Sequence, residues 1–197
     1  FDTESPLNLI LMKGILKGEK MDLVIQKATE LGVKEIIPAI TGRSQVRETR
    51  KVARWRKIAE EASRQSGRSM VPAVREPVEF SSLLAQDVIA RSVATKQSHQ
   101  SEIVSPEPAL SDKTRLLRSA RNDTRKTLKG FILWEEGGVT IQDAIKKLQS
   151  AERRAPGMDK ENPGPMPYSL YPMLVVVGPE GGFTKEEVRL AESRGLI

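Results

Sequence analysis

The chain has 197 residues, with 32 Lys and Arg against 26 Asp and Glu for a formal net charge of +6, and it contains no cysteine. That length can bury a sizeable core as one domain, and the cysteine count excludes a disulfide framework, thiol catalysis and a cysteine-built zinc site. No apolar run reaches membrane-spanning length and no signal peptide opens the sequence, so a cytoplasmic protein is expected, its basic excess suiting a polyanionic partner or an ordinary solvated surface.

Leu7-Asn-Leu-Ile-Leu-Met12 reads as a strand. Met21, Val24, Ile25, Ala28 and Leu31 recur at helical spacing, and Gly32 supplies the stop. Ile36, Ile37 and Ala39 suit a second strand, with Pro38 expected near its end because proline cannot donate to a ladder. Val52, Trp55, Ile58, Ala59 and Ala62 trace a second amphipathic helix with Trp55 in its core stripe. Residues 96–129 break the pattern: between Lys113 and Lys129 seven basic residues stand against the single acid Asp123. This segment reads as a solvated or disordered insert, with an RNA-binding arm as the other reading. Phe131-Ile-Leu-Trp134 resumes the strand pattern, Ile141, Ala144, Ile145 and Leu148 a helix, and residues 150–172, rich in Pro and Gly, a long loop.

The final segment is the most informative. Leu174 to Val177 is a short β-branched run of the kind buried on both faces of a parallel sheet. Gly178, Gly181 and Gly182 remove side chains where the backbone turns or is closely approached. Thr184 and Glu187 have capping-box spacing, Val188 and Ala191 form an inward stripe, and Gly195 is a stop. Strand, glycine loop and helix are each specified locally. The loop lacks a Gly-Lys-Ser/Thr ending and the Gly-x-Gly-x-x-Gly pattern, so neither phosphate cradle applies, and Glu180 disfavours an anionic guest. A neutral or cationic ligand held by backbone amides and carbonyls fits the loop, although a glycine-rich connection can also be only a tight turn. Alternating strands and helices predict an α/β domain with a mostly parallel sheet and a ligand beyond the carboxyl ends of its strands.

Gly178-Pro-Glu-Gly-Gly-Phe183 resembles the cofactor loop of the ribosomal small subunit methyltransferase E family, within the knotted SPOUT class. Lys17-Gly-Glu-Lys-Met-Asp-Leu-Val-Ile-Gln-Lys-Ala-Thr-Glu-Leu-Gly-Val33 is similar to that family's first catalytic-domain helix, and Ile37-Pro38 to the strand after it. Arg43-Ser44, Trp55-Arg-Lys-Ile-Ala-Glu-Glu-Ala62, Gln65-Ser-Gly-Arg68 and Val71-Pro72 match in the same order, so the resemblance spans residues 8–95 and 130–197.

The resemblance implies a SPOUT-like α/β-knot methyltransferase domain over residues 14–197, with residues 1–13 a remnant of an N-terminal PUA-like RNA-binding barrel. Relatives carry a Leu-Gly-x-Arg-x-Leu-Arg-x-Glu-Thr-Ala pattern that the sequence stops short of at Ile197, so the C-terminal knot elements, half the pocket and much of the dimer surface are expected to be missing. The implied activity is methylation of N3 of a uridine in 16S ribosomal RNA of the small subunit, using S-adenosylmethionine and no metal, by a homodimer in its full-length form. An RNA-binding pseudoenzyme or assembly factor, and an inactive fragment, are the alternatives. The backbone of Val177, Gly178, Pro179, Glu180, Gly181 and Gly182 is expected to hold the cofactor. Arg68 or Arg43 would stabilise charge developing on the uracil oxygens, and Glu30 or Glu180 would take the N3 proton; His99, the sole histidine, lies in the insert. Lys17, Lys20, Arg43, Arg47 and Gln65 are candidates for RNA contact. Without the resemblance, Glu30 and Lys27 fit a helix-surface charge pattern and Arg68 a helix-end cap.

Overall fold

A computed structural model describes residues 4–47, 49–85, 130–152 and 172–197. Within them, β1 (Leu9–Gly14), α1 (Lys20–Glu30), β2 (Glu35–Ile40), α2 (Val52–Gln65), β3 (Ala73–Val74), β4 (Val78–Glu79), α3 (Phe80–Ala85), β5 (Gly130–Leu133), α4 (Ile141–Glu152), β6 (Met173–Val177) and α5 (Lys185–Ser193) follow one another. The strands form one sheet in the order β3-β2-β1-β6-β5, with β4 also on β2, and every pairing is parallel.

β1 is the centre of this sheet. Met12 stands opposite Ile37 of β2 and Val176 of β6, so the domain boundary expected at residue 13 falls inside a strand bonded on both sides. Residues 9–13 therefore belong to the sheet. The reason is composition: a run apolar on both faces is what a central parallel strand requires.

Each face of the sheet has its own core. Met21, Ile25 and Ala28 of α1 pack with Val52, Trp55 and Ala59 of α2 on one side, together with Ile36 and Val74. Phe80, Leu83 and Leu84 of α3 pack with Val188 and Ala191 of α5 on the other, together with Ile10, Met12 and Val176. Gly32 and Gly195 take φ of 90° and 92° just past α1 and α5, the left-handed stop expected of them.

Several expectations change in detail. Leu31 ends α1 at 81% exposure and leaves the stripe, because the helix closes at Glu30 and the chain turns. Pro38 sits inside β2, not at its end. The carbonyl of Ala39 accepts from Ile15 on the β1 side and that of Ile36 from Arg75 on the other, so the missing N–H of Pro38 points to the second side, between β3 at Glu35–Ile36 and β4 at Ala39–Ile40. No ladder bond is lost there. In β6 only Leu174 and Val176 are fully buried, while Val175 and Val177 are half-buried. On α4 Ala144 is buried but Ile141 and Ile145 are 60% and 40% exposed. The helix runs to Glu152, three residues into the expected loop. Residues 153–171 of that loop and the insert at 96–129 lie outside the described residues.

Candidate functional site

Parallel strands bring the connections after β1, β2, β5 and β6 to one edge of the sheet. From β1 the chain crosses to β2 on one side, while β6 and β5 lie on the other, so the strand order reverses between β1 and β6. In parallel sheets ligands bind beyond the carboxyl ends of the strands at such a switch point. The glycine loop, residues 178–183, lies there.

Neighbouring elements hold this loop along its length. A Cβ on Gly14 would lie 2.5 Å from Cδ of Pro179, so the end of β1 touches the loop backbone directly. Lys13, only 8% exposed, donates from Nζ to the carbonyl of Gly178. Glu180 Oε1 accepts from Nζ of Lys20 at 3.2 Å and from the amide of Lys17 at 3.4 Å. Arg43 Nη1, on the β2–α2 connection, donates to the carbonyl of Gly181 at 3.0 Å. The loop closes on itself through Gly182 N to Pro179 O at 3.0 Å, with Gly182 at φ 67°, a region that favours glycine. Past the loop, Thr184 and Glu187 complete the predicted capping box, and the second oxygen of Glu187 takes the amide of Gly42 at 2.8 Å.

The electrostatics follow from these contacts. A hydrogen bond from its own backbone amide, then Lys20 and the amide of Lys17, hold the Glu180 carboxyl below its ordinary value, so it is ionised at neutral pH. Burial pushes the Lys13 ammonium down, and the nearby Glu180 charge opposes that.

The space freed by the glycines is mostly taken by the protein itself. A Cβ on Gly178 would approach Gly182 and Phe183 at 3.2 Å, and one on Gly181 would approach Cβ of Arg43 at 3.2 Å. At Gly182 the neighbour is the Glu135 carboxylate, 2.8 Å from that position. The β5–α4 connection thus reaches the loop as well. Its Trp134, packed on the α3–α5 core, keeps a buried Nε1–H with no hydrogen-bond partner among the described residues.

Of the residues singled out in the sequence, Val177 to Gly182, Lys17, Lys20 and Arg43 come together at this edge, and Arg47 is exposed on the same β2–α2 connection as Arg43. Arg68, Glu30 and Gln65 do not. Arg68 Nη1 donates to the carbonyls of Thr29 and Val33 at 2.8 and 3.0 Å, and its Nη2 pairs with Glu4 at 2.8 Å, at the amino ends of the strands. Glu30 ends α1, ten residues and about 15 Å along the helix from Lys20, and pairs with Lys27 at 2.7 Å. Gln65 is exposed at the far end of α2. Within one chain these three side chains therefore stand at the opposite edge from the glycine loop, with Arg68 in the capping role open to it from sequence. Lys13, Trp134 and Glu135 were missed. A lysine in an otherwise apolar strand was the one signal available for Lys13, and the strand break after Leu133 the one for the other two. Among the described residues no group of three metal-ligating side chains forms.

Comparison with known proteins agrees with this picture. The family described as RNA methyltransferase domain matches residues 3–103 and 87–197. Ribosomal RNA small subunit methyltransferase E of Bacillus subtilis is 40% identical over 105 residues, 48% of this chain and 41% of that protein. Among solved structures, a methyltransferase from Legionella pneumophila in complex with SAM matches with a TM-score of 0.61 at 26% identity, over 99% of this chain and 58% of that one. Ribosomal RNA small subunit methyltransferase E from Neisseria gonorrhoeae, bound to S-adenosyl methionine, matches with a TM-score of 0.59 at 26% identity, over 99% of this chain and 57% of that one. The chain thus spans about half the length of the relatives it matches.

Proposed function

This chain belongs to the RNA methyltransferase domain family, and from that premise we propose that it carries the cofactor loop of an S-adenosylmethionine-dependent enzyme that methylates N3 of a uridine in 16S ribosomal RNA of the small subunit. In this reading the full-length protein is a cytoplasmic homodimer of the knotted SPOUT class. The observation that carries the proposal is the loop of residues 178–183, fixed from β1, the β1–α1 connection, the start of α1 and the β2–α2 connection at the switch point of a parallel sheet.

The groups present suit the cofactor. Backbone amides and carbonyls of Val177, Gly178, Pro179, Glu180, Gly181 and Gly182 would hold it, and the carboxylates of Glu180 and Glu135 beside them favour a cationic guest over a phosphate. When bound, S-adenosylmethionine supplies a methyl group activated by its sulfonium. The work left to the chain is alignment, the exclusion of water and the handling of one proton. Arg43 spends one N–H on Gly181 and keeps other donors for the negative charge that develops on the uracil oxygens. It cannot take the N3 proton, because arginine stays protonated. Glu180, at the loop, is the carboxylate we assign to accept it, as a weak base whose hydrogen bonds hold its pKa down. Lys17 and Lys20 beside the loop, with Arg47 on the β2–α2 connection, are the cations we assign to the ribose-phosphate backbone.

Calorimetric titration of the 197-residue chain with S-adenosylmethionine tests the loop assignment. Gly182→Val is the control, since it puts a β-branched side chain at φ 67° and against Glu135. Saturable binding in the parent that is lost in a folded Gly182→Val variant is the expected result. A folded parent that takes up no cofactor overturns the loop assignment for this chain, and transfer of labelled methyl groups to isolated small subunits tests the substrate.

A further inference from the structure

β1 alternates between the two cores. Ile10 and Met12 enter the α3–α5 side, while Leu9 and Leu11 pack against the α1–α2 side. The next residue on that second side is Lys13, a position where the strand pattern calls for another aliphatic side chain. It is nevertheless a lysine, and it is buried. Placing an ammonium there costs desolvation that an aliphatic residue would avoid, and carbonyl contact only partly offsets it. Stability of the sheet does not explain the choice.

What the ammonium touches does. Its partner is the carbonyl of Gly178, the residue at which β6 becomes the loop. The adjacent Gly14 packs directly on Pro179. Residues 13 and 14 therefore both contact the Gly178–Pro179 peptide, where β6 passes into the loop. We infer that Lys13 is a positioning residue: its buried ammonium fixes the Gly178–Pro179 peptide, so that the backbone of Gly181 and Gly182 is presented to the cofactor in one conformation. The cofactor half of this statement rests on the function proposed above. The clamp itself rests on the contact alone.

Amide hydrogen exchange and cofactor titration, both on the 197-residue chain, separate the two. In Lys13→Met, exchange at Gly182, whose N–H bonds to Pro179, should accelerate about tenfold, the factor carried by one charge-assisted hydrogen bond. Val175 and Val176 in β6 should keep their parental rates. The dissociation constant for S-adenosylmethionine should rise by about the same factor. Lys13→Arg, which restores a cationic donor, should return both readouts to within about threefold of the parent. Parental exchange at Gly182 in Lys13→Met overturns the clamp. Acceleration with rescue by arginine, in a chain that shows no cofactor binding at all, upholds the clamp and overturns the cofactor reading. Should Lys13→Met fail to fold, Lys13→Gln takes its place beside Lys13→Arg: faster exchange at Gly182 in the glutamine variant supports the clamp, and equal rates overturn it.

Discussion

Arg68 shows how distant parts of the chain set a residue's partners. A guanidinium in a segment that resembles a catalytic family invites a role at the substrate, yet here it gathers two carbonyls and the Glu4 carboxylate into one buried cluster. The hydrogen bond from Arg68 leads in holding the Glu4 carboxyl below its ordinary value of 4.5; burial opposes this and the Met70 amide adds to it. A depressed carboxyl stabilises the fold above its unfolded-state value, and that stabilisation fades as pH falls through the lower folded-state value. The gap in urea-denaturation midpoint between the parent and Glu4→Gln should therefore be constant above about pH 5 and shrink on acidification below pH 4.5. A gap that widens on acidification would contradict the assignment. Arg68 and Glu4 are 64 residues apart, and no local pattern announces such a pair. The Thr184–Glu187 pair, three residues apart, was legible at once.

At the scale of the element, α5 is specified by its own residues at both ends, by the capping box and by Gly195, and was readable for that reason. Its cap does more than start a helix. Glu187 uses one oxygen on Thr184 and the other on the amide of Gly42, tying α5 to the connection that carries Arg43. Thr184→Ala should cost about 1 kcal/mol, the usual worth of such a cap. Glu187→Ala should cost more and should also speed amide exchange at Gly42, since it frees a donor in a different element. Equal costs with Gly42 unaffected would show that the bridge carries no energy. The two-residue strands β3 and β4 and the six-residue α3 escaped the sequence reading because none is long enough to display a period.

Across the whole molecule the described surface is uneven in its apolar content. Leu133 at the end of β5 is 42% exposed, Val139 44%, and Ile141 and Ile145, one turn apart on α4, remain open. Exposed apolar side chains on one helix face, as Ile141 and Ile145 are, bind other apolar surface. A hydrophobic dye should fluoresce with the folded chain while near-ultraviolet dichroism stays intact. Replacing Ile141 and Ile145 together by lysine should remove roughly half or more of that signal. Unchanged fluorescence would place the dye elsewhere.

By itself the sequence determined the α/β class, the parallel sheet, most helices and the strand-loop-helix unit around residues 174–195, because each depends on periodicity, β-branched runs, caps and glycine stops confined to a few neighbouring residues. Tertiary structure alone decided which residues share an edge. It set β1 at the centre of the sheet, sent Arg68, Glu30 and Gln65 to the edge opposite the glycine loop, and brought Lys13 and Glu135 to it. The physical reason is that strand order and crossover direction are fixed by burial of two faces against helices from distant parts of the chain, a global balance that no local window contains.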